Sequence, residues 1–137
     1  MLVKHLISTQ RFYLGGIIVN KINQVQEFLV ENNIDAAFVT TPDNVFYFSG
    51  FDSNPHERLL GVMVFKEAEP FIICPKMEIP DALASGWSFE AVGHTDTDNA
   101  WDIVAATVAK RDIKIETMAI EKAHLTVEKQ IKNSLLR

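Results

Sequence analysis

The sequence predicts an α/β fold: a single three-layer domain in which a mixed β-sheet, containing one β-hairpin, is flanked by helices. Three observations lead there. Segments with apolar residues at helical spacing alternate with apolar runs too short for helices. Two of those runs, Leu59 to Phe65 and Pro70 to Cys74, are separated only by the charged tetrad Lys66-Glu67-Ala68-Glu69, as in an antiparallel hairpin. A chain of 137 residues that is 47% hydrophobic suits one core and is too short for two ordinary domains.

The first helix is expected from Asn20, which can serve as N-cap; Ile22, Val25, Phe28 and Leu29 share one face, and Asn32-Asn33 can stop it. "DAAFVT", Asp35 to Thr40, reads as a buried strand. Thr41-Pro42-Asp43 reads as a cap with proline in the first turn, so "NVFYFS" is a short helix closed by Gly50. The hairpin follows and ends at Pro75. A short helix is expected over Glu78 to Ala84, with Pro80 in its first turn or at a kink, then a weak strand "FEAVGH". Asn99 can cap a helix whose Trp101, Val104, Ala105 and Val108 share a face. "TMAIE" is a strand. "LTVEKQIKNSLLR" is a helix with Thr126 as cap and Val127, Ile131 and Leu135 four residues apart.

Residues 1–19 stand apart. Lys4 and two apolar patches imitate a secretory signal, but Ser8, Thr9, Gln10 and Arg11 interrupt its centre and no small-residue cleavage site follows. Two expectations compete for this leader. Translation from a GTG codon at Val19, with Gly15-Gly16 encoded by a ribosome-binding sequence, would leave it outside the native product. Alternatively, "FYLGGIIV" is an arm that pairs with a sheet edge or a neighbouring subunit.

A net charge of -5 without a basic run excludes the footprint that nucleic acid needs. No stretch approaches the roughly 20 apolar residues of a membrane span, so a soluble protein is expected. Cys74 is the only cysteine, which rules out an internal disulfide and makes a reducing cytoplasm the natural compartment. In its apolar strand it reads as a buried structural thiol. His56-Glu57 lacks a second histidine one turn on, and His5, His94 and His124 are isolated, so each reads as a surface or loop residue before a metal ligand. "TDTDN", Thr95 to Asn99, caps the following helix in preference to holding a cation. Gly15-Gly16 and Gly61 make no nucleotide loop. Trp87 and Trp101 could each line a pocket or interface, with the core the default for Trp101.

Two segments carry a resemblance. "VTTPDNVFYFSGF" resembles the signature of the creatinase/prolidase N-terminal domain family, and "IEKAHLTVEKQ" is similar to that family's second signature. The resemblance covers residues 20–137. It implies a non-catalytic domain that precedes a "pita-bread" catalytic domain in Xaa-Pro dipeptidases and aminopeptidases P; creatinase shares the architecture with another substrate. Two divalent metal ions are expected in that catalytic domain and none in this chain, which alone should release no proline. The implied partners are the catalytic domain, a further copy of the chain in a homo-oligomer, and, for the parent only, a peptide substrate. By the same resemblance the loop Phe51 to Arg58 narrows the substrate cleft, through Phe51, His56 and Arg58. Arg58 can clamp a substrate carboxylate with its planar fork, or form a surface ion pair with Glu57 or another acid. The alternative to the peptidase domain is a free-standing α/β binding or interaction module.

Overall fold

The computed structural model describes residues 14–121 and 125–135. In chain order the elements are α1 (Leu14–Glu31), β1 (Ala36–Val39), α2 (Pro42–Ser49), β2 (Gly61–Phe65), β3 (Phe71–Pro75), a 3₁₀ turn (Lys76–Glu78), α3 (Ile79–Ala84), β4 (Glu90–His94), α4 (Ala100–Ala109), β5 (Met118–Ile120) and α5 (Leu125–Ser134). The sheet order is β4-β3-β2-β1-β5. β2 runs antiparallel to β1 and β3, while β3 with β4 and β1 with β5 are parallel. Four strands therefore point one way, and their C-terminal ends share an edge with the start of β2.

Register sorts the side chains onto two faces. Ala37 pairs with Val64 and Val39 with Val62, and these four pack with Ile18, Ile22, Val25 and Leu29 of α1 and Val45 and Phe48 of α2. Ala36 pairs with Phe65 and Phe38 with Met63, which pack against Val104 and Val108 of α4 and Ile131 of α5. The expected three layers result. β1, β2 and β3 are buried on both faces, which is why they read as continuous apolar runs in place of alternating ones.

Most expected elements lie where their patterns put them. Gly50 closes α2 at φ 75°, a conformation that glycine adopts without a Cβ penalty. Asn33, at φ 51°, ends α1. Asn99 caps α4 by accepting from the Trp101 backbone N–H at 3.1 Å. The helix starts need correction. α1 begins at Leu14, so Asn20 lies inside it and caps nothing, and Leu14 to Val19 form helical turns where an edge-pairing arm was the rival expectation. Ile18 is buried and extends the Ile22-Val25-Leu29 stripe upstream, which supplies the reason. In α5 Leu125 is already helical, so Thr126 lies within the helix and not at its cap. Trp87 is not at a surface: it is buried in the core and donates its indole N–H to the Glu90 carbonyl at 2.9 Å.

Candidate functional site

The C-terminal edge of the parallel strands is where open α/β sheets bind ligands, and here it carries both quoted signature segments. β1 ends at Val39 and β5 at Ile120, so Thr40 and Glu121 leave the sheet on neighbouring strands. The Glu121 carboxylate is 5% exposed. Its Oε1 accepts the backbone N–H of Thr40 at 2.7 Å and of Thr41 at 3.2 Å. Its Oε2 accepts from the Thr41 hydroxyl and, at 2.7 Å, from the Asn44 side-chain amide. Thr41 occupies the N-cap position of α2, but its hydroxyl does not cap the helix; it donates to Glu121. A carboxylate at a helix N-terminus also meets the positive end of the helix dipole. The two segments thus form a bolted corner, with Glu121 fully engaged in structure. Lys122 to His124 of the second segment lie outside the described residues.

From this corner the loop after Gly50 crosses the sheet edge in extended form, with Phe51, Ser53 and Pro55 buried and Asp52 and Asn54 exposed. Phe51, expected at the cleft, is 4% exposed and packs in the core against the α1 side of the sheet. Following a glycine does not free it, because alternation turns it inward, and it supports the loop from beneath. Ser53 donates to Glu78 at 2.8 Å. A tight turn follows, closed by the Arg58 N–H to the Pro55 carbonyl at 3.1 Å, with His56 at φ 57°. Non-glycine residues are uncommon in this left-handed region, and histidine is among those that enter it most readily. His56 and Arg58 are both exposed.

These two side chains line an open cleft of about 470 Å³ with Thr40, Pro42, Leu59 and Trp101. Trp101 serves two surfaces: it packs edge-on against Phe38, centroids 6.0 Å apart, and also lines the cleft. Arg58 pairs with Asp96 and not with Glu57: Nε lies 2.7 Å from Oδ1 and Nη2 3.1 Å from Oδ2. Hydrogen bonding and charge in this pair raise the Arg58 pKa and lower that of Asp96. Beside it His94, expected at the surface, is buried at the end of β4, with Nε2 2.7 Å from the Leu59 carbonyl. Strand ends bury their side chains when a loop lies across them, and this loop does.

Sequence reasoning missed Asp96 and His94 as partners of the loop. It also missed Arg111, whose guanidinium lies 5.0 Å from the Phe71 ring centroid and 3.0 Å from Glu90. Only the hydrophobic runs around them marked their neighbourhoods. Cys74 is buried, and desolvation pushes its thiol up to about 12, which fits the structural reading and denies it a nucleophile's thiolate. Among the described residues, no three His, Cys, Asp or Glu side chains converge in a way that could hold a metal ion. The arrangement places a guanidinium and an imidazole on a pinned turn beside the Trp101 ring.

Residues 21–135 match the family described as the Creatinase/Prolidase N-terminal domain. The chain belongs to that family. It is 37% identical over 106 residues to the Xaa-Pro dipeptidase of Lactobacillus helveticus, covering 77% of this chain and 29% of that protein. It is 41% identical over 110 residues to an uncharacterized peptidase of Staphylococcus saprophyticus, covering 80% and 29%. The chain thus spans just under a third of the length of these relatives. Among solved structures, the N-terminal domain of Xaa-Pro dipeptidase from Lactobacillus brevis superposes with a TM-score of 0.80 at 28% identity, covering 84% of this chain and 87% of that one. Among the described residues of this family member, no helix is long and apolar enough to cross a membrane.

Proposed function

We propose that this domain serves a cytoplasmic proline-directed metallopeptidase of the Xaa-Pro dipeptidase or aminopeptidase P type. Its work there is to narrow the substrate cleft and to contact a neighbouring subunit of a homo-oligomer. The observation that carries this reading is the Pro55–Arg58 turn, which presents His56 and Arg58 to a cleft while buried residues anchor the loop behind it. Family membership and the Xaa-Pro dipeptidase among its relatives supply the substrate class. The two metal ions and the hydrolytic step are assigned to the parent's catalytic domain, a reading supported by family membership. Arg58 is suited to the carboxylate end of a short peptide, because its planar fork matches two carboxylate oxygens.

The test is steady-state kinetics of the full-length peptidase with an Xaa-Pro dipeptide. Arg58→Ala should lower kcat/KM by about tenfold or more, with an unchanged melting curve. An unchanged kcat/KM would return Arg58 to the solvated surface. A full-length protein that hydrolyses no Xaa-Pro peptide would overturn the substrate class.

A further inference from the structure

Arg58 is a shared wall. The cleft of about 470 Å³ lies on one side of it. On the other is a smaller hollow of about 180 Å³, lined by Pro75, Lys76, Met77, His94 and Asp96. Asp96 reaches Arg58 from the smaller hollow and takes the side edge of the guanidinium, through Nε at 2.7 Å and Nη2 at 3.1 Å. A guanidinium carries five N–H donors. This pairing consumes two of them and leaves the end edge, formed by Nη1 and the second N–H of Nη2, for another bidentate acceptor.

Both sides of the pair are fixed by backbone. Asp96 stands in a loop closed on itself, where the Thr95 N–H donates to Asp98 Oδ2 at 2.7 Å and the Asp98 N–H to the Thr95 carbonyl at 3.1 Å. The bond from the Thr95 N–H holds the Asp98 carboxyl below its usual range. One residue after Arg58 and two before Asp96, the contact between His94 and the Leu59 carbonyl at 2.7 Å makes a second rung between the same two segments. An isolated exposed ion pair contributes little to stability, and Arg58 and Asp96 are 46% and 71% exposed. What such a pair can do, when both backbones are already fixed, is orient a long side chain before a ligand arrives and so remove that ordering cost from binding.

We propose that Asp96 is a positioning residue: it holds Arg58 by the side edge so that the end edge receives the terminal carboxylate of a dipeptide. This rests on the reading of the cleft given above. Asp96 does not touch the ligand in this scheme; it acts through Arg58.

The experiment compares Asp96→Ala, Asp96→Glu, Arg58→Ala and the Arg58→Ala/Asp96→Ala pair in the full-length peptidase, with an Xaa-Pro dipeptide and a melting curve for each. Asp96→Ala should raise KM about fivefold or more while lowering kcat far less. Asp96→Glu should recover part of the loss, and the double variant should be no worse than Arg58→Ala alone, since Asp96 has nothing left to position. If Arg58→Ala raises KM and Asp96→Ala leaves it unchanged, the positioning role is overturned while the cleft reading survives. A lowered KM in Asp96→Ala also overturns it, showing that Asp96 competes with the substrate for Arg58. If neither variant alters KM, the cleft reading fails and takes this proposal with it.

Discussion

Replacing Glu121 by glutamine changes one atom at the corner that joins the two signature segments, and the consequence can be worked from its partners. The carboxylate accepts from two backbone N–H groups, one hydroxyl and one side-chain amide, at a position 5% exposed. Glutamine keeps one oxygen. If that oxygen stays on the Thr40 and Thr41 N–H groups, its new NH₂ faces the Asn44 amide, donor against donor; flipped, it faces the two backbone N–H groups instead. Bonds to a charged acceptor are roughly twice as strong as neutral ones, and a buried donor left unpaired costs about 1–3 kcal/mol. The sum is a loss of about 2–3 kcal/mol for Glu121→Gln and about 3–5 for Glu121→Ala, the larger because every one of the four donors then loses its acceptor. With a urea slope of about 1.5 kcal/mol/M, the Gln variant's midpoint should fall by about 1.3–2 M. Urea unfolding of the 137-residue chain, followed by far-UV circular dichroism, measures it. Asn44→Ala should cost about 1 kcal/mol alone and almost nothing added to Glu121→Gln, because both remove the same bond. A Gln variant whose midpoint moves by less than about 0.3 M, or full additivity with Asn44→Ala, would refute the corner as a structural bolt.

Two further outcomes follow from packing and charge. A Cβ at Gly61 would lie 2.7 Å from Phe38 Cζ, so Gly61→Ala should destabilise by about 1–3 kcal/mol and disturb the near-ultraviolet signal of Trp101, against which Phe38 packs; an unchanged melting temperature would show that the ring yields freely. Asp35 accepts from the Glu116 and Thr117 N–H groups at 2.9 and 3.0 Å, and the Glu116 bond leads in holding its carboxyl below the ordinary value. Because the folded pKa is the lower one, its contribution is complete above about pH 4, the unfolded value, and is lost as pH falls through the folded pKa. Asp35→Asn should therefore be less stable than the parent sequence at pH 7, with the gap closing below about pH 4; a gap that is constant with pH would remove Asp35 as the cause.

Much of the fold is legible because its causes are local. β1 and the β2–β3 hairpin show as apolar runs, Gly50 and Asn33 supply the left-handed conformations that end helices, and Asn99 is followed by the N–H it accepts. The start of α1 was hidden by Gly15-Gly16, which are poor helix formers, although Ile18 stands four residues before Ile22 and continues its stripe. The site is less legible because its partners are remote in sequence. Glu121 meets Thr41 across 80 residues and Arg58 meets Asp96 across 38. Either carboxylate, in sequence, is one acidic residue among 18 aspartates and glutamates. His94 illustrates the same limit: a lone histidine is ordinarily a surface residue, and only the loop lying over the strand end buries this one.

The division of labour at the sheet edge follows from these bonds. The segment that most distinguishes the sequence, Thr40 to Asn44, has its donors turned inward to Glu121, so its distinctive residues build the corner and leave little for a ligand. The neighbouring turn is arranged in the opposite sense. Its buried residues are the apolar and small ones, Phe51, Ser53 and Pro55, while its charged triplet His56-Glu57-Arg58 faces outward at the tip. The turn carries a left-handed histidine, its arginine is tethered bidentately to Asp96, and His94 meets the Leu59 carbonyl near the loop's end. Each restricts the loop, and restriction carries an entropy cost that a mere connection could avoid. The corner is thus committed to structure, and under the proposed function recognition falls to the turn because its polar tip stays exposed.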